Sequence, residues 1–348
     1  MSITVKDVLS RLGTTKLRRL SPPTYYLAHD GPKIALAVES CQRHVTDEAW
    51  QIMAGLESAG YTLFGHGLPN GETDVDKIVS THHPQTIIVQ DRREWDVHPT
   101  SWRDKRAMFS HVDAIKGSGA FCVMPVKDVH CCPTTYSAFS DRIGVHAWIV
   151  HYHPDIVLKL SPYMRPEHVV RTYHSVDPDL VPAYSEVDRH GAVLSGFVSN
   201  VYPWRRRLAA TVDALPYVAY LRHPGYKLGD CATPTFLQIL TRFKVAICTC
   251  SVYGYAVRKI VEASACGCVV LTDLPEDDVL PEIDGNLVRV SPDIGLAEMT
   301  EVLNRMYDEY DSDRQWQFAE RAKTCYDYRT LCNKLALDIE RMRYGYTS

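Results

Sequence analysis

Residues 244–273 read KVAICTCSVYGYAVRKIVEASACGCVVLTD and contain the pattern that decides the fold. The apolar run 245–248 predicts a buried strand, 255–266 predicts a helix that ends at Gly267, and 269–272 predicts a second buried strand. A strand, a helix and a further parallel strand of this length form a βαβ unit. Ligands of such sheets bind at the carboxyl ends of the strands, where the helices begin. We therefore expect a site between the first strand and the helix.

The predicted helix begins with two positive charges. Arg258 and Lys259 occupy its first turn, although the backbone N–H groups there already carry partial positive charge and disfavour cations. A bound anion would relieve this repulsion, and a diphosphate is an anion that helix N-termini bind readily. The alternative is that both side chains extend into solvent. The residues alone leave these two interpretations open.

Short apolar runs alternate with helix-length segments along the whole chain. Strands are predicted at 34–38, 61–64, 86–89, 121–126, 146–150, 171–176, 192–196, 217–221, 245–248, 269–272 and 287–290. Helices are predicted at 46–59, 75–82, 204–214, 234–242, 255–266, 296–307 and from about 312 onwards. Such alternation predicts an α/β protein of two tandem Rossmann-like, doubly wound domains. The polar segment 178–190 is the predicted linker, so the domains are expected at 1–180 and 190–328.

The composition is that of an ordinary soluble globular protein. The chain has 348 residues, of which 45% are hydrophobic and 23% are charged, enough for the cores of two domains. The formal net charge of −4 gives no overall attraction to nucleic acid or to anionic membranes. No apolar run is long enough to span a bilayer, and the N-terminal segment lacks the apolar core of a signal peptide. We therefore expect a cytoplasmic protein without a transmembrane segment.

The eleven cysteines predict no metal site. Most of them lie in apolar, strand-like runs, where a reduced cysteine behaves as a small hydrophobic residue. Their spacing also differs from the C-x2-C pairs that are typical of zinc sites.

Two predicted strand ends in the first half carry candidate catalytic residues. Asp91 follows the strand predicted at 86–89 within a cluster of charged residues, for which a surface group of ion pairs is the alternative. His151 and His153 follow the strand predicted at 146–150. Two histidines at a strand end indicate either metal binding or acid–base chemistry. No third metal ligand is evident, so contact with a polar substrate is the preferred interpretation.

Four segments of the second half resemble motifs of one enzyme family. They are KIVEASACGCVVLTD at 259–273, Ser195-Gly196 followed by YPWR at 202–205, HSVD at 174–177, and a helical segment at 326–342. Together they resemble the GT-B glycosyltransferases, in particular the branch of the retaining group-1 family with an SG…YPxR motif. The resemblance implies two Rossmann-like domains that face each other across a cleft. It also implies a final helix, 329–348, that crosses back to the N-terminal domain.

The same resemblance implies a nucleotide-sugar donor site on the central βαβ unit. Glu262 corresponds to the acid that accepts hydrogen bonds from the ribose hydroxyls, which suits a carboxylate because it offers acceptors only. Arg258 and Lys259 are expected beside the diphosphate, where fixed cations stabilise the charge of the leaving group. Arg205 and Arg222 are expected on loops at the same edge of the sheet.

One position departs from the family pattern. The family often has a second glutamate, which contacts the sugar, eight positions before the residue that corresponds to Glu262, and this chain has Gly254 there. The resemblance then implies either that backbone amides or Tyr255, within the Tyr253-Gly254-Tyr255 turn, contact the sugar, or that the donor sugar differs.

Three functions are compatible with these observations. The leading hypothesis is a glycosyltransferase that moves a sugar from a UDP- or GDP-linked donor to a hydroxyl acceptor with retention, without a metal or other cofactor. Basic residues near the N-terminus, at Arg92-Arg93 and at 204–207 favour an alternative in which the acceptor is a hydroxymethylated base in DNA. Gly254 in place of a glutamate favours a nucleotide-sugar-binding module without turnover.

Overall fold

A computed structural model of the chain describes residues 30–37, 48–65, 68–89, 109–126, 133–185, 189–223 and 232–345. These residues form two compact units. Of the described residues, the first unit contains those between 30 and 173 together with 328–345, and the second contains those between 174 and 327. Each unit has its own sheet of parallel strands.

The elements follow one another along the chain as strands and helices in alternation. The strands are β1 (Lys33–Leu36), β2 (Thr62–Phe64), β3 (Thr86–Val89), β4 (Phe121–Val126), β5 (Ala147–Val150), β6 (Val169–Arg171), β7 (Ala192–Gly196), β8 (Val218–Arg222), β9 (Val245–Ile247), β10 (Val269–Thr272) and β11 (Leu287–Arg289). The helices are α1 (Glu48–Ser58), α2 (Val75–His82), α3 (Ala114–Gly117), α4 (Pro133–Ile143), α5 (Pro154–Leu160), α6 (Pro203–Thr211), α7 (Thr233–Leu240), α8 (Arg258–Ala265), α9 (Leu296–Asp308), α10 (Ser312–Cys325) and α11 (Tyr328–Gly345).

Both sheets have a doubly wound strand order. The first sheet has the order β2-β1-β3-β4-β5-β6, and the second has the order β11-β10-β9-β7-β8. Numbered along the chain within each sheet, the first sheet reads 2-1-3-4-5-6 from β2, and the second reads 2-1-3-4-5 from β8. The order 2-1-3-4-5 is that of flavodoxin-like folds. The direction of winding reverses between β1 and β3 in the first sheet and between β7 and β9 in the second. The predicted α/β class with two doubly wound sheets is confirmed.

Burial on both faces of the sheets explains why the strands are almost continuously apolar. All six residues of β4, FCVMPV, are buried, as expected for a parallel strand that is covered on both sides. In the second unit, Ile247 of β9, Trp204 of α6 and Leu303 of α9 belong to one buried cluster. No helix of the described part of the chain is long and apolar enough to cross a membrane.

The last helix, α11, packs within the first unit. The rings of Trp50 in α1 and Tyr328 in α11 lie 5.7 Å apart, and Lys33 in β1 pairs with Glu340 in α11 at 3.1 Å. The end of the chain therefore contributes a helix to the unit that is formed mainly by the first half.

The strand predicted at 171–176 is wrong. The strand β6 covers Val169–Arg171, and Val176 forms only an isolated bridge with Asp327. The N–H of Val176 donates to the carbonyl oxygen of Tyr326 at 2.9 Å, so this part of the chain finds its hydrogen bonds outside the sheet. Helices α3, α4 and α5 were not predicted, because they are short or rich in serine and threonine, which are poor helix formers.

Candidate functional site

The carboxyl ends of β7 and β9 lie side by side in the second sheet. Strand β7 ends at Gly196 and leads to helix α6, whereas β9 ends at Ile247 and leads through residues 248–257 to helix α8. The winding of the sheet reverses between these two strands, and ligands of doubly wound sheets bind at such a point. The candidate site is therefore built from the residues that follow β7 and β9.

Arg205 joins the two strand ends. Its Nε donates to Oγ1 of Thr249 at 2.9 Å, its Nη2 donates to the carbonyl oxygen of Thr249 at 2.9 Å, and its Nη1 donates to the carbonyl oxygen of Phe197 at 3.1 Å. Burial lowers the pKa of this guanidinium, which nevertheless stays charged at neutral pH. Three of the five N–H groups of the guanidinium thus donate to residues that follow β7 and β9, and Arg205 is in large part a structural clamp between these strand ends.

Lys259 is a cation of this site that has no anionic partner in the described part of the chain. It is half-buried, and it forms no hydrogen bond or ion pair with any residue that the structure describes. Its Nζ lies 5.7 Å from the centre of the Phe236 ring. Desolvation, followed by the charge of Arg205, lowers the pKa of Lys259 to about 8. An ammonium group in these surroundings is stabilised by an anionic ligand.

Gly196 leaves space for such a ligand beside the two cations. A Cβ atom at this position would lie 2.5 Å from Nζ of Lys259 and 2.7 Å from Nη1 of Arg205. The backbone of Gly196 also has φ +118°, a conformation that other residues adopt only with strain. Both cationic groups therefore converge on a small space that only glycine keeps open.

We expect the Gly196→Ala variant to lose about tenfold or more in affinity for a nucleoside diphosphate, and about 1–3 kcal/mol in free energy of unfolding. The added methyl group would occupy the space between the cations, and φ +118° would be strained. Calorimetric titration and chemical denaturation measure the two effects. Gly295→Ala is the matched control, because an added Cβ there meets no atom within 4 Å. Equal affinity in the two variants would contradict this account of Gly196.

The first turn of helix α8 adds further N–H donors at the same edge. The N-cap residue is Val257, which has an extended backbone (φ −100°, ψ 146°) and makes no side-chain cap hydrogen bond. An apolar N-cap leaves the first N–H groups of a helix without the side-chain oxygen that usually accepts from them. An anion beside Lys259 is well placed to fill this role.

Arg258 and Glu262 were both predicted to bind the nucleotide-sugar donor, and in the structure they contact each other. Both side chains are buried, and Nε of Arg258 lies 3.1 Å from Oε1 of Glu262, one helical turn away. Removing one member of a buried pair leaves the other charge without this compensation, which is strongly destabilising. The stability of the fold therefore depends on the charge of Glu262 through its ion pair with Arg258.

The turn at 253–255 places glycine where the family pattern has an acid. Gly254 has φ +67°, and its N–H donates to the carbonyl oxygen of Ser251 at 2.9 Å. The rings of Tyr253 and Tyr255 stack with their centres 5.4 Å apart. Tyr255 is buried, whereas Tyr253 and Gly254 are half-buried. Tyr253 and Gly254 are thus the more accessible of the predicted sugar contacts.

The positions predicted for Arg205 and Arg222 are partly wrong. Arg205 lies within the first turn of α6, and Arg222 is the last residue of β8, so neither is on a loop. Arg222 pairs in register with Gly196, which does place it at the predicted edge of the sheet, and its side chain is exposed. The structure therefore brings Arg205 and Lys259 together over Gly196 and leaves Arg222 at the surface.

Asp273 is a residue of this site that sequence reasoning missed. It follows β10 directly, and its Oδ1 accepts from the backbone N–H of Cys250 at 2.5 Å. Desolvation raises the pKa of the Asp273 carboxyl to about 6. An acidic residue at the carboxyl end of a buried strand was the available signal, because ligand sites of parallel sheets lie at that end.

The candidate residues of the first unit lie around the end of β5. His151 directly follows the strand and is buried, and His153 is half-buried at the N-cap of α5 without a side-chain cap hydrogen bond. A carboxylate oxygen of Glu48, at the start of α1, lies within 4.8 Å of a ring nitrogen of His151. Asp91 lies outside the described residues. The proposed catalytic role of these three predicted residues stays a prediction.

Solved structures of glycosyltransferases are similar to this chain over most of its length. HepE from Anabaena, in complex with UDP and glucose, is 14% identical, and the match covers 90% of this chain and 100% of that chain with a TM-score of 0.52. A glycosyltransferase from Rickettsia africae is 10% identical over 90% of this chain and 99% of its own, with a TM-score of 0.53. Sucrose-phosphate synthase from Thermosynechococcus elongatus is 11% identical over 90% and 100%, with a TM-score of 0.53.

These similarities, together with the two parallel, doubly wound sheets, define the fold as the GT-B glycosyltransferase fold. No protein-family model and no curated protein matches the chain. At such identities the similarity establishes the fold, whereas function has to be argued from the site.

Proposed function

We propose that this protein is a glycosyltransferase that transfers a sugar from a nucleoside-diphosphate sugar, UDP- or GDP-linked, to a hydroxyl acceptor. The observation that carries the proposal is the convergence of Lys259 and Arg205 on the space above Gly196, at the switch point of a GT-B fold. A diphosphate matches this space in charge. HepE, a structural neighbour, has been solved in complex with UDP-glucose, which is consistent with this class of ligand.

In this reaction the diphosphate is the leaving group and gains negative charge as its bond to the sugar breaks. Lys259 supplies a positive charge that is already in place and desolvated, so it stabilises the developing charge without reorganisation. Arg205 keeps the strand ends in position and offers its remaining N–H groups. Fixed protein cations perform the task that a divalent metal performs elsewhere, and we propose transfer without a metal.

Glu262 is the proposed acceptor of hydrogen bonds from the donor ribose, and its pairing with Arg258 fixes the direction of the carboxylate. Retention of configuration is proposed on the sequence resemblance to the retaining group-1 family. Nuclear magnetic resonance of the first product formed from an α-linked donor tests this part of the proposal. A β-linked product would contradict retention without contradicting transfer.

The test of the proposed function is a thermal-shift screen with UDP, GDP and their common sugar conjugates. A ligand at 100 times its dissociation constant adds ~2.7 kcal/mol of stability to the folded state, which gives a clear rise in melting temperature. We expect a rise with one nucleoside diphosphate and its sugars, and slow hydrolysis of the matching donor in the absence of acceptor. The absence of a shift and of calorimetric binding with every nucleotide would contradict the proposal.

A nucleotide-sugar-binding module without turnover is the second candidate. Gly254 favours it, because the carboxylate that the family pattern places there is missing and the turn offers backbone groups and two tyrosines, Tyr253 and Tyr255, in its place. Binding of a nucleotide sugar without hydrolysis or transfer to any acceptor would support this second function. Transfer to a DNA acceptor has less support, because Arg206 bonds Asn200 at 2.6 Å and Arg207 lies 3.7 Å from Asp293.

A further inference from the structure

The peptide group that joins Thr249 to Cys250 is held at both ends by charged side chains. Its carbonyl oxygen, on Thr249, accepts from Nη2 of Arg205 at 2.9 Å. Its N–H, on Cys250, donates to Oδ1 of Asp273 at 2.5 Å. A cation on the carbonyl and an anion on the N–H polarise the same peptide in the same direction, so each bond strengthens the other.

This peptide is the start of the segment that leads to Lys259. Residues 249 and 250 follow β9 closely, and residues 251–257 then run to the first turn of α8. The N–H of Val252, two residues further on, donates to the carbonyl oxygen of Val201 at 2.8 Å. Hydrogen bonds with Arg205 of α6, with Asp273 after β10 and with Val201 therefore determine the path of the segment.

The carboxylate of Asp273 is costly to the fold at neutral pH. Desolvation raises its pKa to about 6, while the bond from Cys250 and the charge of Arg205 only partly offset this effect. For an acid whose pKa is higher in the folded than in the unfolded state, the associated stability is present at low pH and is lost as the pH rises through about 6. A charge that is kept at a strand end despite its effect on stability is typical of functional sites.

We propose that Asp273 is a positioning residue, which holds the Thr249–Cys250 peptide and thereby sets the path of residues 251–257 and the placement of Lys259 for the donor diphosphate. This inference rests on the proposed function, since its effect is measured as binding of a nucleotide sugar. The charged group that acts on Asp273 is Arg205 from α6, and the backbone N–H and the thiol of Cys250 after β9 bond to it. Asp273 itself does not contact the reacting atoms in this account.

The test compares Asp273→Ala and Asp273→Asn with the parent protein in calorimetric titrations with UDP-glucose and GDP-mannose. Asn keeps an oxygen that accepts from Cys250 but has no charge, whereas Ala has neither. We expect Asp273→Ala to weaken donor binding by about ten- to a hundredfold, the range for loss of a charge-assisted hydrogen bond, and Asp273→Asn to weaken it less. Because burial of the charge is removed, Asp273→Asn is expected to unfold at no lower temperature than the parent.

The pH profile separates positioning by the carboxylate from a purely structural role. Each phosphate of a nucleotide sugar has one ester bond and one anhydride bond and keeps a single, strongly acidic oxygen, so the probe does not change its charge near neutrality. The affinity of the parent is expected to fall as the pH is lowered through about 6, whereas that of Asp273→Asn is expected to stay constant there. Asp284→Asn is the matched control, because the Asp284 carboxylate accepts hydrogen bonds from Arg289 and from the N–H of Leu280 and not from the segment that leads to Lys259.

The possible outcomes distinguish this inference from the proposed function. If the parent binds one of the two donors but Asp273→Ala binds it as tightly as Asp284→Asn does, the positioning role alone is overturned. Identical pH profiles of the parent and Asp273→Asn overturn it as well, and they do so even if Asp273→Ala fails to fold. A parent that binds neither these donors nor any other nucleotide sugar overturns the proposed function together with the inference.

Discussion

Replacement of Lys259 by methionine is expected to weaken binding of the nucleoside diphosphate by about ten- to a hundredfold, with no loss of stability in the unliganded protein. Lys259 has no anionic partner among the described residues, so its removal breaks no ion pair of the fold. Its pKa is lowered to about 8, mainly by desolvation, so the charged form predominates at neutral pH but is less stable than that of a lysine in water, and a bound anion would stabilise it. Methionine has a similar length and keeps the contact with Phe236 without the charge.

The control for this variant is Lys244→Met. Lys244 lies in the same unit next to the other end of β9, and its Nζ donates to the carbonyl oxygen of Tyr307 at 3.0 Å. We expect Lys244→Met to reduce stability and to bind the nucleotide normally, the reverse of the Lys259→Met result. If Lys259→Met binds the nucleoside diphosphate as tightly as Lys244→Met, the donor is not bound at Gly196.

The protonation of Lys259 gives the same prediction a second measurement. Above pH 8 the amine of the unliganded protein is largely neutral, and an anionic donor would raise its pKa again. Binding is therefore expected to take up a proton in this range, which calorimetry in two buffers of different protonation enthalpy detects. The unliganded fold should also gain stability as the pH rises from about 8 towards 10.5, because the folded protein releases this proton before the unfolded chain does. Lys259→Met should show neither effect.

Glu262→Gln is expected to have two large effects, one on the fold and one on the donor. The substitution leaves the buried Arg258 without the carboxylate that lies 3.1 Å from its Nε, so we expect a loss of about 3 kcal/mol in the free energy of unfolding. It also replaces a purely accepting group by one that donates as well, which should weaken binding of the donor by about ten- to a hundredfold. Denaturation and calorimetric titration measure the two effects separately.

A second substitution separates these two contributions. In the double variant Arg258→Met, Glu262→Gln, no charge of the pair remains, so much of the stability lost in Glu262→Gln is expected to return. Donor affinity is expected to remain low, because the acceptor for the ribose hydroxyls is still missing. Recovery of affinity in the double variant would show that Glu262 acts only as the partner of Arg258 and has no contact with the ribose.

The positions of most strands and helices were predictable from local sequence, because each element buries its residues in a regular pattern. Apolar runs such as 86–89, 121–126 and 269–272 coincide with β3, β4 and β10, since a strand covered on both faces has to be continuously apolar. The edge strand β6 was predicted too late in the chain, at 171–176 instead of Val169–Arg171. The residues that follow it do not pair with the sheet, and the N–H of Val176 donates to Tyr326. The carboxyl edge of the second sheet could also be identified as the place of the site, because ligands of doubly wound sheets bind at the carboxyl ends of the strands.

The roles of the individual charged residues were decided by the tertiary structure. In the sequence, Arg205, Arg222, Arg258 and Lys259 are four cations of equal interest. In the fold, Arg205 is a clamp, Arg222 is exposed and Arg258 pairs with Glu262. Lys259 is half-buried beside Gly196 and has no anionic or hydrogen-bonding partner among the described residues. The partners of Arg205 and Asp273, Thr249 and Cys250, lie 44 and 23 residues away along the chain. Whether a charge is available to a ligand depends on desolvation and on such distant hydrogen-bond partners, and no local pattern of residue types contains that information.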